Sequence, residues 1–195
     1  QLSLLMGVSS WVGYDLDGRA DITWIDSFCL RLKEKQVALE IYLKQLSEIN
    51  LPEENAVTNI HAELKSEFDA IGRELESFTE LSADNADFTQ VMDQFTSRAG
   101  KLISSRKTAD KIQKIATQIT DKKTAIQLMV LASDMATHGF GIGEIHLRIN
   151  AVQLRNSMRA VDGHGVTTTG GNASSRLLID RLSKRIETEQ PWQIN

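Results

Sequence analysis

Few side chains in this chain combine the type and the spacing that chemistry needs; Arg148 and a Gly- and Asp-rich turn are the ones to weigh. Arg148 closes the segment His138-Gly139-Phe140-Gly141-Ile142-Gly143-Glu144-Ile145-His146-Leu147-Arg148, in which Ile145 to Ile149 is the one convincing strand candidate. A guanidinium at a strand end offers a planar, permanently charged fork for two carboxylate or phosphate oxygens. On the residues alone, an Arg paired with a nearby acid at a strand–helix junction is the favoured reading. Asp15 and Asp17 lie in the run Ser10-Trp11-Val12-Gly13-Tyr14-Asp15-Leu16-Asp17-Gly18-Arg19. Their carboxylates can bond backbone N–H groups two residues on, and Gly13 and Gly18 permit angles that a side chain resists. These four residues read as a structural loop, with the two acids fixing backbone rather than holding a metal.

The remaining candidates lead nowhere. His61, His138, His146 and His164 form no H-E-x-x-H pair, and Cys29 stands far from all of them in sequence. No zinc site is expected, and no other metal site is assigned to this chain. No G-x-S-x-G elbow is present. The Gly- and Thr-rich stretch 162–175 lacks the spacing of a phosphate-cradling loop and reads as a flexible connection. Cys29 has no intrachain partner and falls on the apolar face of a helix, where a thiol behaves as a small hydrophobe.

The elements that must position these residues are mostly helical. From Asp26, a plausible N-cap, apolar residues recur at Phe28, Cys29, Leu32, Leu39, Leu43, Leu46 and Ile49, with Gln36 breaking the stripe. Asn50-Leu51-Pro52 stops that helix. A second helix opens near Pro52 or Glu53 with the stripe Val57, Ile60, Leu64, Phe68, Ile71, Leu75 and Phe78. This near-heptad spacing predicts antiparallel packing on a neighbour, with Leu64, Phe68, Ile71 and Leu75 largely buried. A third helix carries Phe88, Val91, Met92, Phe95, Leu102 and Ile103. Ser104 to Thr108 fits either a break or continuous helix. Ile112, Ile115, Ile119, Ile126, Met129, Val130 and Met135 follow in a helix or helix pair with a joint at Thr120-Asp121. His138-Gly139 ends it, the Gly as a left-handed cap. Helix returns over Ala151 to Val161, and a last helix, capped by Ser174 or Ser175, carries Leu178, Leu182 and Ile186.

The expected fold is therefore mainly α, an antiparallel helix bundle with at most one or two short strands. Its parts are a Gly/Asp-rich loop segment over 1–25 and a bundle over 26–137. A short strand and helix carrying the Arg148 motif follow over 138–161, then a flexible loop over 162–175 and a C-terminal helix over 176–195. A net charge of −4 argues against a general nucleic-acid binder. The longest apolar run, near Leu128 to Ala132, is too short to span a bilayer, so no membrane partner is expected. No positively charged leader precedes an apolar core, which points to a cytoplasmic protein. The chain opens inside an apolar phrase and ends as abruptly, as though cut from something longer.

Two segments carry a resemblance. The run S-W-V-G-Y-D-L-D-G-R from Ser10 resembles the S-W-M-G-G-D-R-D-G-N-P segment of phosphoenolpyruvate carboxylases. The run from His138 to Arg148 resembles that family's F-G-L-x-L-x-x-L-D-I-R, and the two occur in the family's order with a helical stretch between them. The resemblance implies a segment of a larger α/β-barrel enzyme that carboxylates phosphoenolpyruvate with bicarbonate, giving oxaloacetate and phosphate with Mg²⁺ or Mn²⁺. Arg148 would then be a substrate-binding residue of the complete protein, and Gly13, Asp15, Asp17 and Gly18 its structural loop. The departures are Tyr14 for a Gly, Leu16 for an Arg, Arg19-Ala20 for Asn-Pro, and His146 for an Asp. The family's T-A-H-P-T and F-H-G-R-G-G segments and its acidic metal ligands do not occur in this chain. The chain alone therefore lacks catalytic residues and a cofactor site, and its partner is the remainder of a parent polypeptide, homo-oligomeric at full length. The alternative is a non-catalytic helical interaction or scaffold module.

Overall fold

The computed structural model describes residues 9–10, 12–13, 24–49, 56–79, 97–98, 102–141 and 144–145. In chain order the elements are β1 (Ser9–Ser10), α1 (Trp24–Glu48), α2 (Ala56–Thr79), α3 (Ser105–Ala116), α4 (Lys122–His138) and β2 (Glu144–Ile145). The described fold is mainly α, as the periodicity predicts. Among the described residues, no helix is long and apolar enough to cross a membrane.

Helices α1 and α2 pack antiparallel. Phe28 stacks on Phe78 with ring centroids 5.3 Å apart, while further along α1 Lys35 meets Glu67 further back along α2. The buried seam of α1 is Phe28, Leu32, Lys35, Leu39, Tyr42, Leu46 and Ile49. Its steps alternate four and three without a gap, the heptad rhythm of a coiled-coil seam. The α2 seam is Val57, Ile60, Leu64, Glu67, Ile71 and Phe78. Each seam thus places one charged residue, Lys35 or Glu67, where an apolar one is expected. Leu64 and Ile71 are fully buried, and Phe68 and Leu75 are partly buried against the same core. Each large apolar side chain so buried contributes about 1.5–3 kcal/mol.

Caps set the other boundaries. Asp26 lies in the first turn of α1 rather than at its N-cap, since the helix already begins at Trp24. Its negative charge suits the positive end of the helix dipole there. Ser104 is the N-cap of α3, its Oγ accepting from the Lys107 N–H, so the Ser104–Thr108 stretch contains a true helix start. Asp121 caps α4 by accepting from the Thr124 N–H at 2.9 Å, which places the joint where the sequence has Thr120-Asp121. The bond holds the Asp121 carboxyl below the usual carboxylate range. At the far end Gly139, with φ of +65°, donates its N–H to the Met135 carbonyl.

One expectation is corrected. The apolar stripe assigned to α4 includes Ile126 and Val130, yet these are 62% and 64% exposed. The buried face is Leu128, Leu131, Ala132 and Met135. Apolar residues encircle this helix, so spacing alone does not select the face that packs. Helix-stripe residues Phe88, Val91, Met92 and Phe95, the start of the second helix before Ala56, and everything after Ile145 lie outside the described residues.

Candidate functional site

The two segments that carry the resemblance meet in space. β1 ends at Ser10, the first residue of the first segment, and β2 lies within the second. They pair in parallel, Ser9 opposite Glu144 and Ser10 opposite Ile145. Parallel neighbours require a long crossover connection, and here the connection contains the four described helices α1 to α4. Both chains therefore leave the pair at the same, C-terminal edge. In parallel α/β architectures that edge is where ligand-binding residues gather.

Helix α1 is the platform under both segments. Ser27, buried near its start, donates from Oγ to the Gly13 carbonyl at 2.8 Å. Gly13 has φ of +82°, and a Cβ built there would run into the Leu30 side chain. The backbone angle favours glycine, whereas the end of the Leu30 side chain can turn aside. The Gly13→Ala variant will therefore lose about 1–3 kcal/mol of stability, readable as a lower urea midpoint with an unchanged slope.

Further along α1, Arg31, Lys35 and Tyr42 face the turn that opens the second segment. The Tyr42 hydroxyl donates to the Gly139 carbonyl at 2.8 Å in a buried position. Phe140, fully buried, meets the Tyr42 ring edge-on with centroids 6.3 Å apart. Lys35 Nζ lies 5.8 Å from the Phe140 ring centroid. A Cβ on Gly141 would overlap the Arg31 guanidinium, so that glycine leaves room for a buried charge. Arg31 also lies 3.6 Å from Glu34. Burial, with the Asp134 carboxylate as the smaller cause, pushes the Tyr42 phenol above its ordinary pKa and keeps it a neutral donor.

Behind this platform runs a chain of ion pairs. Lys35 Nζ is 2.7 Å from Glu67 Oε1, Glu67 Oε2 is 2.8 Å from Arg98, and Arg98 is 2.8 Å from Glu74. Lys35 and Glu67 have only 1% and 5% of their side chains exposed. Charges so deeply buried are tolerated only when paired. Sequence reading missed both, because a Lys and a Glu in charged, solvated-looking stretches give no sign of burial. The available signal was the heptad step itself, which lands on Lys35 rather than Gln36.

Of the residues singled out from sequence, the structure places Gly13. Asp15, Asp17, Gly18, His146 and Arg148 lie outside the described residues; Arg148 follows Ile145 by three positions in the chain. Among the described residues, no group of three or more His, Cys, Asp or Glu is arranged to hold a metal ion. The Mg²⁺ or Mn²⁺ that the resemblance implies therefore finds no fitting ligand set in the described part. Cys29 is half-buried, and burial raises its thiol pKa, as befits an inert thiol rather than a nucleophile. No family model, curated protein or solved structure matches this chain.

Proposed function

We propose that this chain is the helical middle segment of a phosphoenolpyruvate carboxylase-like enzyme. The complete protein would be a cytoplasmic homo-oligomer that joins phosphoenolpyruvate and bicarbonate to give oxaloacetate and phosphate. The observation that supports this reading is the parallel pairing of β1 with β2. Ser10, which opens the first resembling segment, and Ile145, within the second, are partners across that pair although far apart in sequence. A long helical crossover between parallel strands belongs to α/β architectures.

Within this reading the division of labour follows from charge. Arg148, just past β2, binds an anionic oxygen pair of the substrate through its fork. Gly13, Asp15, Asp17 and Gly18, which follow β1 in the chain, are the structural loop that the resemblance implies. The divalent metal supplies charge neutralisation to the enolate and phosphate oxygens when bound, and its ligands come from segments outside this chain. Proton transfer and activation of bicarbonate likewise fall to residues the chain lacks.

The test is an assay of phosphate release dependent on phosphoenolpyruvate, bicarbonate and Mg²⁺. The full-length gene product should turn over, and the purified 195-residue chain should match a protein-free blank. Activity in the short chain, or none in the full-length protein, contradicts the proposal; the second outcome leaves a helical interaction module.

A further inference from the structure

Tyr42 makes a hydrogen-bonding contact between the long helix α1 and the Gly139-Phe140 turn that precedes β2 in the chain. Its hydroxyl holds the Gly139 carbonyl at 2.8 Å, and its ring walls the fully buried Phe140. Gly139 is also the positive-φ cap of α4. One side chain therefore fixes the point at which the chain stops being helix and turns toward the strand pair. On its other side the Arg31 guanidinium lies in the space beside Gly141. Gly139 and Glu144 are five positions apart in the chain.

We propose that Tyr42 is a positioning residue, holding the Gly139-Phe140 turn so that β2, which precedes Arg148 by three positions in the chain, keeps its register on β1. This rests on the proposed carboxylase reading for its kinetic consequence, but not for its structural one. Tyr42 touches no substrate; it acts through the turn. When the hydroxyl is lost, the turn samples misplaced states, and substrate must select the competent fraction. Apparent affinity falls by that fraction, whereas bound substrate restores the register.

The experiment is Tyr42→Phe in the full-length gene product, which keeps the ring and removes only the donor. A net intramolecular hydrogen bond corresponds to roughly two- to tenfold in an equilibrium. KM for phosphoenolpyruvate should therefore rise by about that factor, with kcat at saturation changed less than about twofold. Hydrogen exchange of the peptide spanning Gly139–Ile145 should speed up by a similar factor, with the α3 peptide Ser105–Ala116 unchanged. As a control, Glu63→Ala breaks only the exposed Lys111–Glu63 pair and should leave KM and this exchange pattern as in wild type.

The outcomes separate the two claims. Faster exchange over Gly139–Ile145 in a protein that never consumes phosphoenolpyruvate keeps the clamp and overturns the enzyme reading. Turnover with unchanged KM, or a fall in kcat and melting temperature alone, overturns the positioning role and makes Tyr42 an ordinary core residue. Unchanged exchange overturns the clamp whatever the activity.

Discussion

The Glu67→Ala variant will lose about 3–5 kcal/mol of folding stability, the largest single loss expected from any polar change in the described bundle. Glu67 accepts from Lys35 at 2.7 Å through one oxygen and from Arg98 at 2.8 Å through the other. Truncation removes the carboxylate from both cations while Lys35 remains in the interhelical seam with 1% of its side chain exposed. Against a total stability of about 5–15 kcal/mol, such a loss is a large share. For a chain of this size it lowers the melting temperature by very roughly 6–20 °C. Exposed pairs give the contrast. Lys65–Asp69 and Lys111–Glu63 lie at the surface, where breaking a pair changes stability by about 0–1 kcal/mol.

The double variant Lys35→Met/Glu67→Leu should recover most of the loss, because two apolar side chains then pack where two charges were desolvated. What it should lose is discrimination between registers, the role a single polar contact plays in heptad seams. Thermal melts of both variants check this. A Glu67→Ala variant within 1 kcal/mol of wild type would show that the pair is solvated or replaced in solution.

These effects mark where sequence reading succeeds and where it stops. Among the described residues, the mainly helical fold, the antiparallel packing of α1 on α2 and the Thr120-Asp121 joint were legible, because apolar spacing and cap residues act locally. Leu64 and Ile71 fell on the predicted face because a run of apolar residues at three and four is hard to misread. The faces of α1 and α4 were harder. In α1 the seam passes through Lys35 and Tyr42, and a polarity-based stripe slides past a buried lysine to Cys29 and Leu43 at its side. In α4 apolar residues encircle the helix, and only packing decides that Leu128 goes in while Ile126 stays out. Burial of a charge depends on a partner from another helix, and no window along one helix contains that partner.

The candidate site was legible in a different way. Gly13 and Gly139 were expected at unusual backbone angles, and both have positive φ. Their shared dependence on α1 was not legible, since Ser27, Tyr42 and Arg31 carry no motif. Nor did the two resembling segments announce that they would pair as adjacent strands; that contact spans nearly the whole helical bundle in sequence. Only the fold brings Ser10 beside Ile145.

The account predicts its largest functional effect at Arg148. If Arg148 binds the anionic substrate at the edge of the strand pair, removing its fork removes binding that no neighbour in this chain is assigned to replace. His146, two residues earlier in the chain, stands where the resembling family has an Asp. Lysine at position 148 keeps charge but not the bidentate geometry, so Arg148→Lys should recover only part of the loss. In the 195-residue chain the Arg148→Ala change should leave the melting temperature nearly unaltered, because a substrate-binding side chain is poorly engaged without its ligand. The decisive measurement is kcat/KM for phosphoenolpyruvate, with bicarbonate and Mg²⁺ saturating, in the full-length protein and its Arg148→Ala variant. The account predicts a loss of at least about tenfold, or about 1.4 kcal/mol of transition-state stabilisation. Unchanged kinetics, together with a large drop in the melting temperature of the short chain, would contradict it and make Arg148 a structural ion-pair residue.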